Sequence, residues 1–354
     1  MEIKLKPIEE QVIVITGATS GIGLATARLA AKRGARVVLA ARGKKDLKRV
    51  AHEIEKKHGG DVAYVVADVS KRDQVERIAK TAERAFGGFD TWINNAGVSI
   101  YGRLEETPLE DARRLFDVNY WGVVHGSLVA AERLRERGGA ILNLGSVVSE
   151  RALPLQGQYS ASKHAIKGFT DALRVELEHE DAPISVTLVK PSSIDTPYTE
   201  HARNLLGEGE VPAVPPPVYA PRVVARTLLR CAERPTREIT VGGGRMLEVL
   251  GHLAPRLADR YAGTAIFEQE KEQADGHARR RRRRDTLYEP RKGDVAERGG
   301  YDGHVMRTSA YTAARLHPMR TALFGAALGV GVAMLLRGDT MAGGGAHGRA
   351  HEHA

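Results

Sequence analysis

Tyr159 and Lys163 stand four positions apart in "QYSASKHAIKGF", residues 158–169. Four residues make about one helical turn, so both side chains rise on one face of a helix. A free phenol titrates near ~10 and carries protons poorly at neutral pH, and a fixed ammonium beside it favours the phenolate. The pair therefore reads as a proton-transfer group tuned by a cation. The same spacing also arises by chance, so it needs support from elsewhere in the chain. One support is "TGATSGIG", Thr16 to Gly23, which follows the apolar run "VIVIT" and opens an amphipathic stretch. Glycines let a backbone approach phosphates closely, and a helix N-terminus favours negative charge. Gly17, Thr19, Ser20, Gly21, Ile22 and Gly23 are the candidate cofactor-binding loop. The spacing G-x-x-x-G-x-G differs from the G-x-G-x-x-G dinucleotide pattern.

Positioning these groups requires a regular scaffold, and the first 195 residues supply its pattern. Short apolar runs ("QVIVITGA", "RVVLAAR", "VAYVVADVS", "FDTWINNAG", "GAILNLGSVVS", "ISVTLVKPSSIDT") alternate with amphipathic stretches, including 71–86 and a long one at 109–136. Strands that are near-continuous in Val, Ile and Leu are those covered on both faces by helices. Repeated βα units then predict an α/β fold of Rossmann type: a doubly wound parallel sheet in three α/β/α layers. Residues 197–217 break the pattern with a proline-rich segment, read equally as a lid over a pocket or as a surface loop. A helix near 221–233 and a strand in "REITVGG" follow.

The chain has 354 residues, of which 42% are hydrophobic, enough for one large core. A single cysteine, Cys231, excludes intramolecular disulfides and a thiolate metal cluster. No signal-peptide core precedes the first strand, so the expectation is a cytoplasmic protein. The net charge is +9, and residues 251–354 hold 17 Lys+Arg against 12 Asp+Glu, so the excess is concentrated in the last third. Its largest block, Arg279–Arg284, could touch nucleic acid or anionic lipid. A solvated linker is the plainer reading of such a run, and nucleic acid is not the expected partner.

Four segments are expected: a Rossmann domain over 1–263, a charged, disordered linker over 264–318, a hydrophobic helix over 319–337, and a flexible tail over 338–354. The stretch 268–310 is polar and poor in apolar residues, the composition of disorder. "TALFGAALGVGVAMLL", 321–336, is uncharged. As a helix it would measure about 24 Å against a hydrocarbon core of about 30 Å. A short membrane anchor, an interfacial helix and a packing helix for a second subunit all remain open. The histidines of the closing "HGRAHEHA" have no partner ligands, and no metal site is expected.

Five motifs in order, "TGATSGIG", "ADVS", "NNAG", "GSVVS" and "YSASK", resemble the short-chain dehydrogenase/reductase family in its single-domain form, over roughly residues 8–245. The extension is similar to that of longer bacterial members. The resemblance implies that Asp68 and Val69 contact the adenine ring, and that Asn95, Ala96 and Gly97 line the cofactor groove. It implies that Asn119 bends the long helix and places a water, and that Ser146 bonds the substrate oxygen. Tyr159 would pass the proton, while Lys163 would bind the nicotinamide ribose and lower the pKa of Tyr159. Thr196 would contact the nicotinamide amide. The catalytic set is thus Asn119, Ser146, Tyr159 and Lys163. Pro191-Ser192 stands where the family often has Pro-Gly.

An acidic residue after the second strand would select NAD, and an arginine NADP. Ala41 occupies the acidic place and Arg42 follows, so NADP(H) is favoured over NAD(H). The expected activity is interconversion of a small-molecule carbonyl compound and its secondary alcohol, in a homodimer or homotetramer. A catalytically silent redox sensor and a membrane-attached scaffold, with contact through 321–336, are the alternatives.

Overall fold

The computed structural model describes residues 3–244, 249, 251, 253–273, 285–293, 295–316 and 321. The chain divides into Met1–Thr312 and Ala313–Ala354, and the fold and site lie in the first unit. The Arg279–Arg284 run and the histidine tail lie outside the described residues, as does 321–336 apart from Thr321.

Seven strands form the central sheet: β1 (Val12–Thr16), β2 (Arg36–Ala41), β3 (Val62–Val66), β4 (Thr91–Asn94), β5 (Gly139–Leu144), β6 (Ile184–Pro191) and β7 (Glu238–Val241). Their order is β7-β6-β5-β4-β1-β2-β3, and every neighbouring pair is parallel. Strands β1, β4, β5 and β6 are buried along their whole length, which is why the sequence there is apolar without alternation. The helices in between are α1 (Gly21–Lys32), α2 (Lys44–His58), α3 (Arg72–Phe86), α4 (Leu109–Phe116), α5 (Gly122–Leu134), α6 (Gly157–His179) and α7 (Pro221–Glu233). The order in which strands are added reverses between β1 and β4, the switch point at which a crevice forms outside the strand ends.

The long helix expected over 109–136 is interrupted. Asp117–Trp121 is a π-turn between α4 and α5. Asn119, fully buried in that turn, accepts from Val98 N at 2.8 Å and donates to Val98 O at 3.0 Å. It therefore ties the helix to the chain leaving β4.

A buried polar network sets the register of β4, β5, α5 and α6. Asn94 Nδ2 donates to Asn143 Oδ1 at 2.8 Å and to Ser127 Oγ at 3.0 Å. Asn143 Nδ2 donates to Thr170 Oγ1 at 3.0 Å, and Trp92 Nε1 to Asn94 Oδ1 at 2.8 Å. Buried amides persist only when paired, so each residue fixes its neighbours' positions.

Within 264–318, the described residues run against the expectation of disorder. Lys271–Gln273 pairs antiparallel with Glu210–Pro212, and Val305–Met306 pairs parallel with Val218–Tyr219. Leu287, Ile266 and Glu270 are buried. The segment holds few apolar residues because its order comes from hydrogen bonds to the body, which composition does not register.

Candidate active site

The glycine loop joins β1 to α1. Gly17 (φ +66°) and Gly21 (φ +54°) occupy left-handed backbone, and a Cβ at Gly17 would meet Ala96 Cα at 2.9 Å. Asn95 braces the loop from β4: its Nδ2 donates to Thr16 O at 2.8 Å and to Gly17 O at 3.2 Å. Ala96 N donates to Thr16 Oγ1 at 3.1 Å. Thr19, Ser20, Gly21, Ile22, Ala96 and Gly97 line one cavity of about 800 Å³. A glycine-rich loop at a helix start, with no room for a Cβ at Gly17, fits a dinucleotide phosphate, with Gly21 N bonded to Ala296 O in this structure.

The same cavity is lined by Asp68, Val69, Arg42, Ser146, Tyr159, Lys163 and Thr196, so these sequence-predicted residues come together. Gly23 stands behind the loop, and Asn119 behind the wall. Asp68 is held by Arg114 Nη2 at 2.6 Å and accepts from Ser70 N at 3.0 Å. Burial pushes the Asp68 carboxyl up, but Arg114 and Ser70 outweigh it and leave it below its usual value. Arg42 does not reach free into the groove: Nη2 donates to Thr286 O at 2.5 Å, and Nη1 to Tyr288 O at 3.0 Å. Ser192 N donates to Val241 O at 2.9 Å, so serine replaces glycine there without a positive φ.

Ser146 caps the turn Val147–Ser149 after β5, with Val148 N donating to its Oγ at 3.3 Å. Tyr159 and Lys163 lie on α6. Lys163 Nζ sits 5.5 Å from the Tyr159 ring centroid and donates to Leu144 O at 2.8 Å. The expected lowering of the phenol by Lys163 is corrected here. Burial pushes Tyr159 up to about 12, with hydrogen bonds to Tyr198 and Ser146 pulling the other way. Burial also brings Lys163 down to about 8. The ammonium faces the Leu144 carbonyl and the Tyr159 ring, and burial sets the direction of the shift in both groups.

At the Tyr159 end Gln156 and Glu270 escaped the reading of site residues, whereas Tyr198 belongs to the segment 197–217 read as a lid. Tyr198 stacks edge-on with Tyr159, centroids 5.4 Å apart, and its hydroxyl lies 3.0 Å from Gln156 Oε1. Gln156 Nε2 donates to Glu270 Oε2. Glu270 lines the cavity, and its Oε1 is buried without a hydrogen-bond partner. A residue type that normally faces water gives no sequence signal for this. The segment 197–217 forms cavity wall through Pro197, Tyr198, His201 and Val214–Pro217, which resolves the choice between lid and surface loop in favour of the pocket.

Burial pushes the Glu270 carboxyl up to about 8, against 4.5 for a free one. A raised folded pKa adds stability that is complete below about 4.5 and lost as pH rises through about 8. Glu270→Gln removes this dependence. Between pH 5 and pH 8 the unaltered chain should lose about 3–4 kcal/mol relative to the variant. Parallel thermal melts at both pH values check this, and a constant gap in melting temperature would contradict it.

A doubly wound sheet whose switch-point crevice joins a glycine loop to a buried serine and lysine and a half-buried tyrosine defines the class of NAD(P)-dependent oxidoreductases. The profile described as short chain dehydrogenase matches residues 11–205, and the chain belongs to that family. The uncharacterized oxidoreductase YxnA of Bacillus subtilis is 41% identical over 324 residues, 91% of this chain and 89% of the relative. A short chain dehydrogenase/reductase from Burkholderia phymatum, solved in complex with NAD, superposes with a TM-score of 0.59 at 27% identity, covering 78% of this chain and 98% of that one. L-sorbose reductase from Gluconobacter frateurii, complexed with NADPH and L-sorbose, gives 0.56 at 26% identity, covering 69% and 98%.

Proposed function

We propose that the chain is an NADP(H)-dependent oxidoreductase that interconverts a bulky, largely apolar carbonyl compound and its secondary alcohol, with Tyr159 as acid and base. The observation that carries this reading is the single cavity of about 800 Å³ with the glycine loop and the Ser146–Tyr159–Lys163 group among its walls. The bound nicotinamide supplies or accepts the hydride. Ser146 Oγ and the Tyr159 hydroxyl donate to the substrate oxygen and stabilise the charge that develops there. Tyr159 then transfers its proton to that oxygen. Tyr159 holds its proton at neutral pH, the form the reducing direction needs. Lys163, charged below about 8, stabilises the phenolate left behind.

Preference for NADP(H) rests on Ala41 in the place of an acid and on Arg42 beside it. The engagement of Arg42 by Thr286 and Tyr288 weighs against it, and the two solved relatives divide between NAD and NADPH. A panel of ketones and aldehydes followed by absorbance loss decides: we expect kcat/KM with NADPH at least about tenfold above NADH, a difference of about 1.4 kcal/mol. Parity or the reverse order would remove Arg42 from the selection.

Assembly as a homodimer or homotetramer through α4–α5 and α6 is supported by exposed Leu109, Trp121, Leu128 and Val175. Light scattering that finds only monomer would contradict it. Cytoplasmic placement and membrane contact through 321–336 rest on composition alone. Among the described residues no helix is long and apolar enough to cross a membrane. Fractionation with and without that segment tests the contact.

A further inference from the structure

The segment over 285–293 and 295–300 follows the rim of the dinucleotide groove. At the Arg42 end, three successive carbonyls, from Thr286, Leu287 and Tyr288, accept from the Arg42 guanidinium. Arg114, which holds Asp68, turns its Nε onto Leu287 O at 3.1 Å. The Leu287 side chain is 0% exposed, within the cluster that includes Ala40, Val69 and Val118. Midway, Gly293 N lies 3.2 Å from both carboxylate oxygens of Asp46, near the start of α2. At the glycine loop, Gly21 N donates to Ala296 O at 2.8 Å, and Arg28 on α1 pairs with Glu297 at 2.8 Å.

These contacts take up the Gly21 N–H and the Arg42 guanidinium but leave other groove residues facing the cavity. Thr286, Pro290 and Arg291 join the cavity wall, and Ser20, Ile22, Asp68 and Ala96 remain on its lining. The segment is also fastened at places away from the groove: Tyr288 OH donates to Asp111 Oδ1 at 2.8 Å, and Thr286 N to His201 O at 3.0 Å. His201 ends the helical turn Tyr198–His201 that carries Tyr198, so one strap touches both the nucleotide loops and the wall beside Tyr159.

We propose that residues 285–293 and 295–300 are part of the dinucleotide-binding site, a strap that closes over the groove so that bound nucleotide leaves only when the strap lifts. This rests on the reading of the groove as the dinucleotide site. Leu287→Asp places a charge in a buried apolar position and loosens the strap. Tyr288→Phe removes only the hydroxyl that reaches Asp111, a milder change that guards against misfolding of the first. Dissociation of NADPH, and separately NADH, is followed by nucleotide fluorescence in stopped flow, with thermal melts to confirm folding. The strap predicts release at least about tenfold faster for Leu287→Asp, because interface changes act mostly on dissociation. Tyr288→Phe should shift release in the same direction by less. Unchanged release in both variants overturns the strap while leaving the oxidoreductase reading intact. Slower release or tighter binding overturns it in favour of a segment that competes with the nucleotide. Failure of the unaltered chain to bind either nucleotide would overturn the groove reading and the strap together.

Discussion

Tyr159→Phe should lower turnover by about 10³-fold, within the span of general acid–base catalysis, while nucleotide binding stays within about twofold. The variant keeps the ring, its edge contact with Tyr198 and its place on α6, and it removes only the group that holds the transferable proton. Ser146 can still polarise the substrate oxygen, so a residual rate should survive. Steady-state kinetics paired with nucleotide titration separates the two effects. Loss of binding together with turnover would mean that the hydroxyl supports the groove and not the reaction. Full activity in the variant would remove Tyr159 from the chemistry, whereas a full biological effect without turnover would favour the silent-sensor reading.

The second large effect is steric. A Cβ at Gly23 would lie 2.2 Å from Gly17 O and 2.5 Å from Asn95 Nδ2. Gly17 O is backbone, and Asn95 is committed to Thr16 O, so neither can retreat without moving the loop. Gly23→Ala should cost about 1–3 kcal/mol of stability through overpacking. It should also weaken nucleotide binding about 100-fold, the equivalent of about 2.8 kcal/mol. Gly168→Ala on α6 is the control. A Cβ there meets nothing within 4 Å, and alanine is the better helix former, so stability should hold or rise. Equal behaviour of the two variants in melts and nucleotide titration would contradict the cradle.

Much of this site was legible because its parts are local in sequence. Gly17, Gly21 and Gly23 fall on one strand–turn–helix junction, and Tyr159 and Lys163 on one helical face. Asp68, Asn95, Ser146 and Thr196 each follow a strand whose apolar run marks its end, and in a parallel sheet those ends share one edge. What could not be read depends on depth and on distant partners. Helical spacing gives the angle between Tyr159 and Lys163 but not how far below the surface they lie, and burial reversed the direction of the phenol's shift. Glu270 looks like any surface carboxylate until Gln156, 114 positions away, meets it. The strap's carbonyls belong to no residue type, and Tyr288 lies 246 positions from the Arg42 that binds it. Polar composition over 268–310 describes the lack of an independent core there. It is silent about a core supplied by the rest of the chain.

The most direct test follows the hydride itself. NADPH, and then NADH, carrying deuterium on the transferring face of the nicotinamide would be supplied with a ketone that the panel shows to be consumed, and the alcohol examined by mass spectrometry. The account predicts deuterium on the carbinol carbon, with its accumulation nearly abolished in Tyr159→Phe. Nucleotide oxidation with no label in the alcohol, or equal labelling in the variant, would contradict it.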